Sequence, residues 1–323
     1  MPRSVMSVFS EPDEFQAALR EEGVLNLLVT GPGKFRTRLT QVTLHHLRLL
    51  AGEERLSRIV FAAVPVDTLF VSWPVDDRPG PIWDGVGLRV GEMITLGPGQ
   101  RIHSRTDGLC HWAAIRLSAE ELAQYARALT GAAFVVPPVA RWQPPRGALR
   151  QLRYFHQAAV RTAKAPSGVL ADKETAHGLE QQMIHVLVQS LSKGPIDAET
   201  EATCRRRGTV ARFEDLLEAE PIPRITEIGP SLGISPRMLR DFCKKNLGMG
   251  PSRYRRLRGM QRARRALRHE NPEVASVSAV ARRYGFRDLV RFATNYRALY
   301  GESPSATLRR LFGKADLIPG GRA

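Results

Sequence analysis

At 323 residues the chain is long enough for two domains with a core each, and 43% hydrophobic with 25% charged residues is ordinary for a soluble globular protein. The formal net charge is +16, yet residues 205–314 hold 25 Lys and Arg against 10 Asp and Glu, while everything else holds 23 against 22. No run of about 18 to 20 apolar residues exists to span a membrane, and three distant cysteines (Cys110, Cys204, Cys243) without a CxxC pair argue against a disulfide framework and for a reducing, cytoplasmic location. The N-terminus lacks the apolar core of a signal peptide.

In chain order, residues 11–22 predict a short helix with Phe15, Ala18 and Leu19 on one side. From Lys34 onward come short runs separated by turn signals, with Phe35, Leu39, Val42 and Leu44 roughly alternating with polar residues, the pattern of a β-barrel or sandwich. SAEELAQYARAL opens a helix with a Ser cap and Glu120 and Glu121 in its first turn. The proline-rich GAAFVVPPVARWQPPRG reads as a connector. Beyond it, Leu149, Leu152, Phe155 and Ala159 mark one helical face and Leu179, Met183, Leu187 and Leu191 another, to be buried either within the chain or in a homodimer. Residues 193–208 are polar with Gly and Pro and predict a flexible link.

A helix over residues 209–220 should open the basic segment, in which residues 225–310 contain one unit twice. Ile225, Ile228, Leu232, Gly233 and Ile234 match Val277, Val280, Tyr284, Gly285 and Phe286. After one extra residue in the second copy, Leu239, Cys243, Gly248 and Pro251 match Phe292, Tyr296, Gly301 and Pro304. Each copy reads as a short helix, a turn entered through Gly, and a longer amphipathic helix stopped by Gly, the outline of a helix-turn-helix. Ser235 and Asp288 are the expected caps of the two longer helices, and residues 254–268 form a connecting helix with Leu257, Met260, Ala263 and Leu267 as its buried stripe.

These residues, GISPRMLRDFCKKNLGMGPSRY, LRGMQRARRAL and YGFRDLVRFATNYRALYGESPSATLRR, resemble the DNA-binding domain of the AraC/XylS-type transcriptional regulators. The resemblance covers about the last third of the chain. With the pattern along the chain it gives an α+β organisation: a β-rich cupin-like sensor over 1–130, a helical linker over 131–207 that either packs within the chain or dimerises, the tandem helix-turn-helix domain over 208–312 and a flexible tail over 313–323. GEMITLGPGQRIH looks like the strand, turn, strand of a cupin-like barrel, the sensor fold this family often carries. The implied partners are double-stranded DNA, RNA polymerase, and a small-molecule effector or regulatory protein at the sensor, with activation the usual outcome.

The helix faces nominate the DNA-binding side chains. In the first recognition helix these are Arg237, Arg240, Asp241 and Lys244 with the cap Ser235; Asp241 either faces bases or orients Arg237 through an ion pair. In the second they are Arg287, Asp288, Arg291, Thr294 and Asn295. Arg can hold guanine O6 and N7 with two hydrogen bonds. Leu289 and Val290 stand where hydrogen-bonding residues are often found in the family, so the second helix either touches thymine methyls or serves chiefly as a phosphate clamp. Pro230 either starts the short first helix or distorts it.

Near a ligand pocket we place Trp73, Arg101, His103 and Trp112 first, with Trp83 beside them; the alternative is core aromatics and a solvated pair. His45, His46, His103, Cys110 and His111 are ligand types for a metal, but Ser104 and Arg105 follow His103 where metal-binding cupins have HxH and a downstream Glu, so no metal or other cofactor is expected. No catalytic Ser/His/Asp set or phosphate loop is recognisable. The reading is therefore a regulator and not an enzyme; the alternatives are a metal-dependent cupin enzyme tethered to DNA and an architectural protein of low sequence preference.

Overall fold

A computed structural model describes residues 2–131, 133–163, 172–198, 201–220, 222–271 and 275–309, with backbone alone at 198 and 201–207. The expected tail over 313–323 lies outside the described residues. The chain divides into two compact units, Met1–Leu27 with Phe35–Val210, and Leu28–Lys34 with Ala211–Ala323.

The first unit begins with β1 (Arg3–Phe9), α1 (Pro12–Ala18), a 3-10 turn over Arg20–Glu22, and β2 (Val24–Val29). It continues through β3 (Thr37–Thr43), β4 (Arg48–Glu54), β5 (Arg58–Ala63), β6 (Thr68–Pro74), β7 (Ile82–Trp83), β8 (Val86–Gly87), β9 (Met93–Leu96), β10 (Arg101–Thr106) and β11 (Cys110–Ser118). Then come α2 (Ala119–Thr130), β12 (Val139–Trp142), α3 (Arg146–Thr162), α4 (Lys173–Leu191) and β13 (Asp197–Ala198). The strands form two antiparallel sheets, one ordered β1-β3-β4-β11-β6-β9-β12-β13 and one ordered β2-β5-β10-β7-β8. Alternating residues of β4 and β11 face opposite sides of the larger sheet, so one strand serves two cores. Val42, Leu49, Val71 and Ile115 meet Leu122, Leu152, Met183 and Leu187 of the helices; Ile94 and Leu96 meet Trp83 and Ile102 of the smaller sheet.

Three features differ from expectation. GEMITLGPGQRIH does contain a strand, a turn and a strand, but β9 pairs with β6 and β12 while β10 pairs with β5 and β7, so the turn carries the chain from one sheet to the other. The proline-rich connector contains β12, whose Ala140 and Trp142 are buried against β9. The prolines flank the strand and leave its four ladder positions free to pair. Finally, the stripe Met183, Leu187 and Leu191 is buried inside this unit, so it is not a dimerisation surface. Glu180 on the same helix is fully buried and accepts the backbone N–H groups of His46 at 2.8 Å and Leu47 at 3.1 Å, tying the β3–β4 turn to α4.

The polar stretch predicted as a link gives way at Glu201 to α5 (Glu201–Glu218), which starts earlier than the expected 209. The rest of the second unit comprises α6 (Ile225–Ser231), α7 (Pro236–Leu247), α8 (Pro251–His269), α9 (Val277–Arg283), α10 (Leu289–Tyr300) and α11 (Pro304–Arg309). Helix α8 is the axis: its Tyr254 donates to Glu214 of α5 at 2.5 Å, and Arg258, 1% exposed, lies 3.5 Å from the Glu214 carboxylate and pairs with Glu218. Burial, with Glu214 alongside, pushes the Tyr254 hydroxyl well up, so it stays a donor. On the other side, a Cβ at Gly259 would meet the Tyr284 carbonyl at 3.1 Å and the Phe286 ring at 3.4 Å; glycine lets α8 approach the second helix-turn-helix closely.

Pro230 does not start α6: the helix begins at Ile225 and runs through the proline to Ser231, so the proline's effect is the loss of one ladder bond. The missing N–H deprives only the Thr226 carbonyl, on an exposed residue, and Leu232 restores the ladder by donating to Ile228 at 3.1 Å.

Candidate nucleic-acid interface

Both helix pairs turn through a left-handed glycine, Gly233 at φ 68° and Gly285 at φ 87°. The capping predictions match the geometry: Ser235 Oγ accepts from the Met238 N–H at 3.2 Å, and the Asp288 carboxylate accepts from the Arg291 N–H at 2.9 Å. Gly248 and Gly301, both left-handed, close the two helices. Leu239, Cys243 and Leu247 of α7 and Phe292, Tyr296 and Leu299 of α10 are buried, which turns the opposite faces outward. Burial pushes the Cys243 thiol up to about 12, so it is neutral packing material and not a nucleophile.

On α7 the outward face carries Arg237, Arg240, Asp241 and Lys244, all exposed. Asp241 makes no ion pair with Arg237 among the described residues, which removes the orienting role considered for it. On α10, Arg291 and Thr294 are exposed and Asn295 is half-buried; Arg287 is exposed in the turn just before the helix. Thr294 donates its hydroxyl to the Val290 carbonyl at 3.0 Å, leaving its lone pairs outward. Ser235 and Asp288 spend their side chains on capping and thereby hold the first turns of the recognition helices in place. Two large hydrophobic side chains stand exposed among the described residues of these helices, Met238 at 57% and Val290 at 80%.

The basic surplus of the connecting helix is largely internal. Arg255 donates to the Pro223 and Ile222 carbonyls at 2.5 and 2.8 Å, and Arg258 is buried among carboxylates. Arg262 donates to Leu217, Ala219 and Glu220, and Arg264 stacks on Tyr300 at 4.7 Å beside Glu302. The helix-face reading passed over Lys245, Arg253, Arg256, Arg282 and Arg297, which are exposed and have no side-chain partner among the described residues. For Arg253, Arg256, Arg282 and Arg297 the local signal is that none has a carboxylate three or four residues away on its own helix; Lys245 has Asp241 four residues before it and carries no such signal.

The four nominated ligand residues of the first unit are not brought together. Ala113 faces Trp73 across the β11–β6 ladder, so Trp73 and Trp112 lie on opposite faces of the larger sheet. Trp73 packs edge-on against His156, 5.1 Å away, in the core under the helices, where burial pushes the imidazole down to about 4. Trp112 and Trp83 line a cavity of about 60 Å³ between the sheets, with Phe70, Arg58 and Ser104. Its polar end is a buried pair, Arg58 with Glu54 at 2.6 and 2.7 Å, to which Trp112 Nε1 donates at 2.5 Å. His103 and Arg101 fall on the other face of β10 from Ser104; His103 is fully buried 5.2 Å from the Phe61 ring, and Arg101 lies over the same ring at 5.1 Å. Strand parity separates these residues: 101 and 103 cannot share a face with 102 and 104. Among the described residues no group of three His, Cys, Asp or Glu side chains is placed to hold a metal ion, and no helix is long and apolar enough to cross a membrane.

A helix-turn-helix domain family matches residues 230–310. The chain is 37% identical over 97 residues to the XylDLEGF operon transcriptional activator of Pseudomonas putida, covering 30% of this chain and 29% of that protein. It is 35% identical over 104 residues to the probable thc operon regulatory protein of Rhodococcus erythropolis, covering 32% and 31%. The match thus spans about three tenths of these curated relatives. Among solved structures, the AraC-like transcriptional activator CuxR aligns over 81% of this chain and 94% of its own at 15% identity and a TM-score of 0.43. A probable AraC family transcriptional regulator from Rhodopseudomonas palustris aligns over 34% of this chain and 97% of its own, with 26% identity and a TM-score of 0.27.

Proposed function

We propose that this chain, whose C-terminal region is an AraC-type helix-turn-helix domain, is a sequence-specific DNA-binding regulator of transcription, and an activator. The observation that carries the reading is the pair of capped helices presenting Arg237, Arg240 and Lys244 on one and Arg291 on the other, all exposed and none held by a carboxylate among the described residues. Free guanidinium groups on a rigid helix can hold guanine edges with two hydrogen bonds each, and the surrounding unpaired Lys and Arg supply the phosphate contacts that set register. We assign base reading to Arg237, Arg240 and Asp241 in the first unit, and to Arg287, Arg291, Thr294 and Asn295 in the second. Ser235 and Asp288 hold the two helix starts.

Control by an effector or a partner at the N-terminal unit belongs to the same reading, as do a homodimer, contact with RNA polymerase and action in the cytoplasm. The cavity between the sheets is too small to take a small-molecule effector. Its volume of about 60 Å³ is about that of two waters, against the several hundred Å³ that ligand pockets require.

The test is selection of genomic fragments by the purified full chain, followed by titrations at several salt concentrations. The expected result is a recurrent site with two boxes about one helical turn, ~34 Å, apart. Uniform binding that fades with salt and yields no motif, with or without cell extract, would replace this reading with an architectural one.

A further inference from the structure

We infer that the N-terminal unit carries a binding site for a small, multiply charged oxyanion on its larger sheet, independent of the DNA-binding helices. The register places Val8, Arg38, Glu53 and His111 side by side across β1, β3, β4 and β11. This row continues the face on which Val42, Leu49 and Ile115 meet the helices, past the residues that the helices cover. Just past the last β3–β4 pair, Thr37 and Glu54, stand Arg36 and Arg55, which line one concavity. Like charges facing one space repel. Both are exposed, and neither has a partner among the described residues.

Around them the sheet end forms a concavity of about 560 Å³ lined by Arg36, Arg38, Arg55, Arg78, His111 and Leu109. That is the size of a small-molecule site, unlike the cavity between the sheets. Glu53 neutralises Arg38 at 2.7 Å, and Asp76 holds His111 at 2.8 Å and Arg78 at 3.5 Å. Arg36 and Arg55 are left over. This local excess sits in a part of the chain that is otherwise nearly balanced in charge. An anion with two or more charged oxygens between the two guanidinium groups removes their repulsion and accepts several charge-assisted hydrogen bonds. Exposed Leu109 and Val8, at 45% and 52%, provide an apolar margin for the remainder of the ligand. Phosphate esters and polycarboxylates share this chemistry.

The experiment uses the full chain at fixed ionic strength, titrated calorimetrically with inorganic pyrophosphate and, separately, with citrate. Because the basic C-terminal unit also attracts polyanions, phenylglyoxal labelling of individual arginines, read by peptide mass spectrometry, supplies the local signal. The expected result is protection of Arg36 and Arg55 by at least one of the two anions. Affinity should be about tenfold weaker or more in the R36Q/R55Q variant, and unchanged in R237A/R240A. Protection by pyrophosphate alone assigns a phosphate, by citrate alone a polycarboxylate, and by both a site that reads charge. Unchanged labelling at Arg36 and Arg55, or equal binding by the wild type and R36Q/R55Q, would overturn the proposal and assign any heat to the basic unit. Both side chains are exposed, so R36Q/R55Q should fold.

Discussion

Helices α7 and α10 occupy equivalent places in the repeat, but they pair a shared skeleton with different surfaces. Leu239, Cys243 and Leu247 stand where α10 has Phe292, Tyr296 and Tyr300. The first helix takes its aromatic contacts from elsewhere, Phe242 meeting Phe213 of α5 at 5.9 Å; the second lies in an aromatic chain in which Phe286, Phe292, Tyr296 and Tyr300 follow one another at 4.8, 5.6 and 4.8 Å. Outside, Arg237, Arg240 and Asp241 are replaced by Val290, Ala293 and Thr294. The cap and the left-handed glycines are common to both because each satisfies its own helix's end groups, and the spacing of buried residues is common because each helix buries one face. Nothing in that packing constrains the exposed positions, so the two helices can present different chemistry on one scaffold.

The largest effect should come from the cores. Phe292→Ala should cost ~3–5 kcal/mol and Leu239→Ala ~2–5 kcal/mol, measured by urea unfolding with hydrogen exchange to localise the loss. If both variants loosened both units equally, the cores would be one and not two. Next, Arg237→Ala should weaken the selected site by ~1–3 kcal/mol and relax preference at one base pair, whereas Lys245→Ala should weaken all duplexes alike and lower the salt slope by about 1. Competition titrations on single-base variants of the site distinguish the two patterns. Removing the caps, by Ser235→Ala or Asp288→Ala, should cost about 1 kcal/mol each, read as thermal midpoints; a much larger loss at one cap would break the equivalence of the two starts. The smallest effect tests Val290: replacing the thymine it faces by deoxyuridine removes one methyl and should lower affinity about fourfold, from ~0.8 kcal/mol per buried carbon. That sensitivity should vanish in Val290→Ala. A site indifferent to every such replacement in the second box would make α10 a phosphate clamp alone.

Much of the second unit was legible because its signals are local. Helix periodicity, Ser235 and Asp288 as caps and the glycine stops each act within one turn of the chain, and all appear where expected. Where α6 starts was less legible: it begins at Ile225 and not at Pro230, because a proline near the end of a seven-residue helix removes only one carbonyl's partner, at an exposed position. The first unit was less legible. Strand β12 pairs with β9 more than 40 residues earlier, and nothing in VARW announces that partner. The aromatic and basic residues grouped as a pocket were grouped by composition, while strand parity sends Trp73 and Trp112 to opposite faces.

The sequence by itself determined that a helix-turn-helix occurs twice and that a long basic helix joins the copies, because these follow from residue spacing and end chemistry over a few turns. Tertiary structure decided which charges are free. Glu214, Glu218 and Glu220 reach Arg258 and Arg262 across some 40 residues of chain, and Glu302 reaches Arg264. Among the described residues Arg237 and Arg240 meet no carboxylate, and neither do Arg36 and Arg55. A charge's sign is written in its residue type, but its availability depends on what a distant segment brings alongside it.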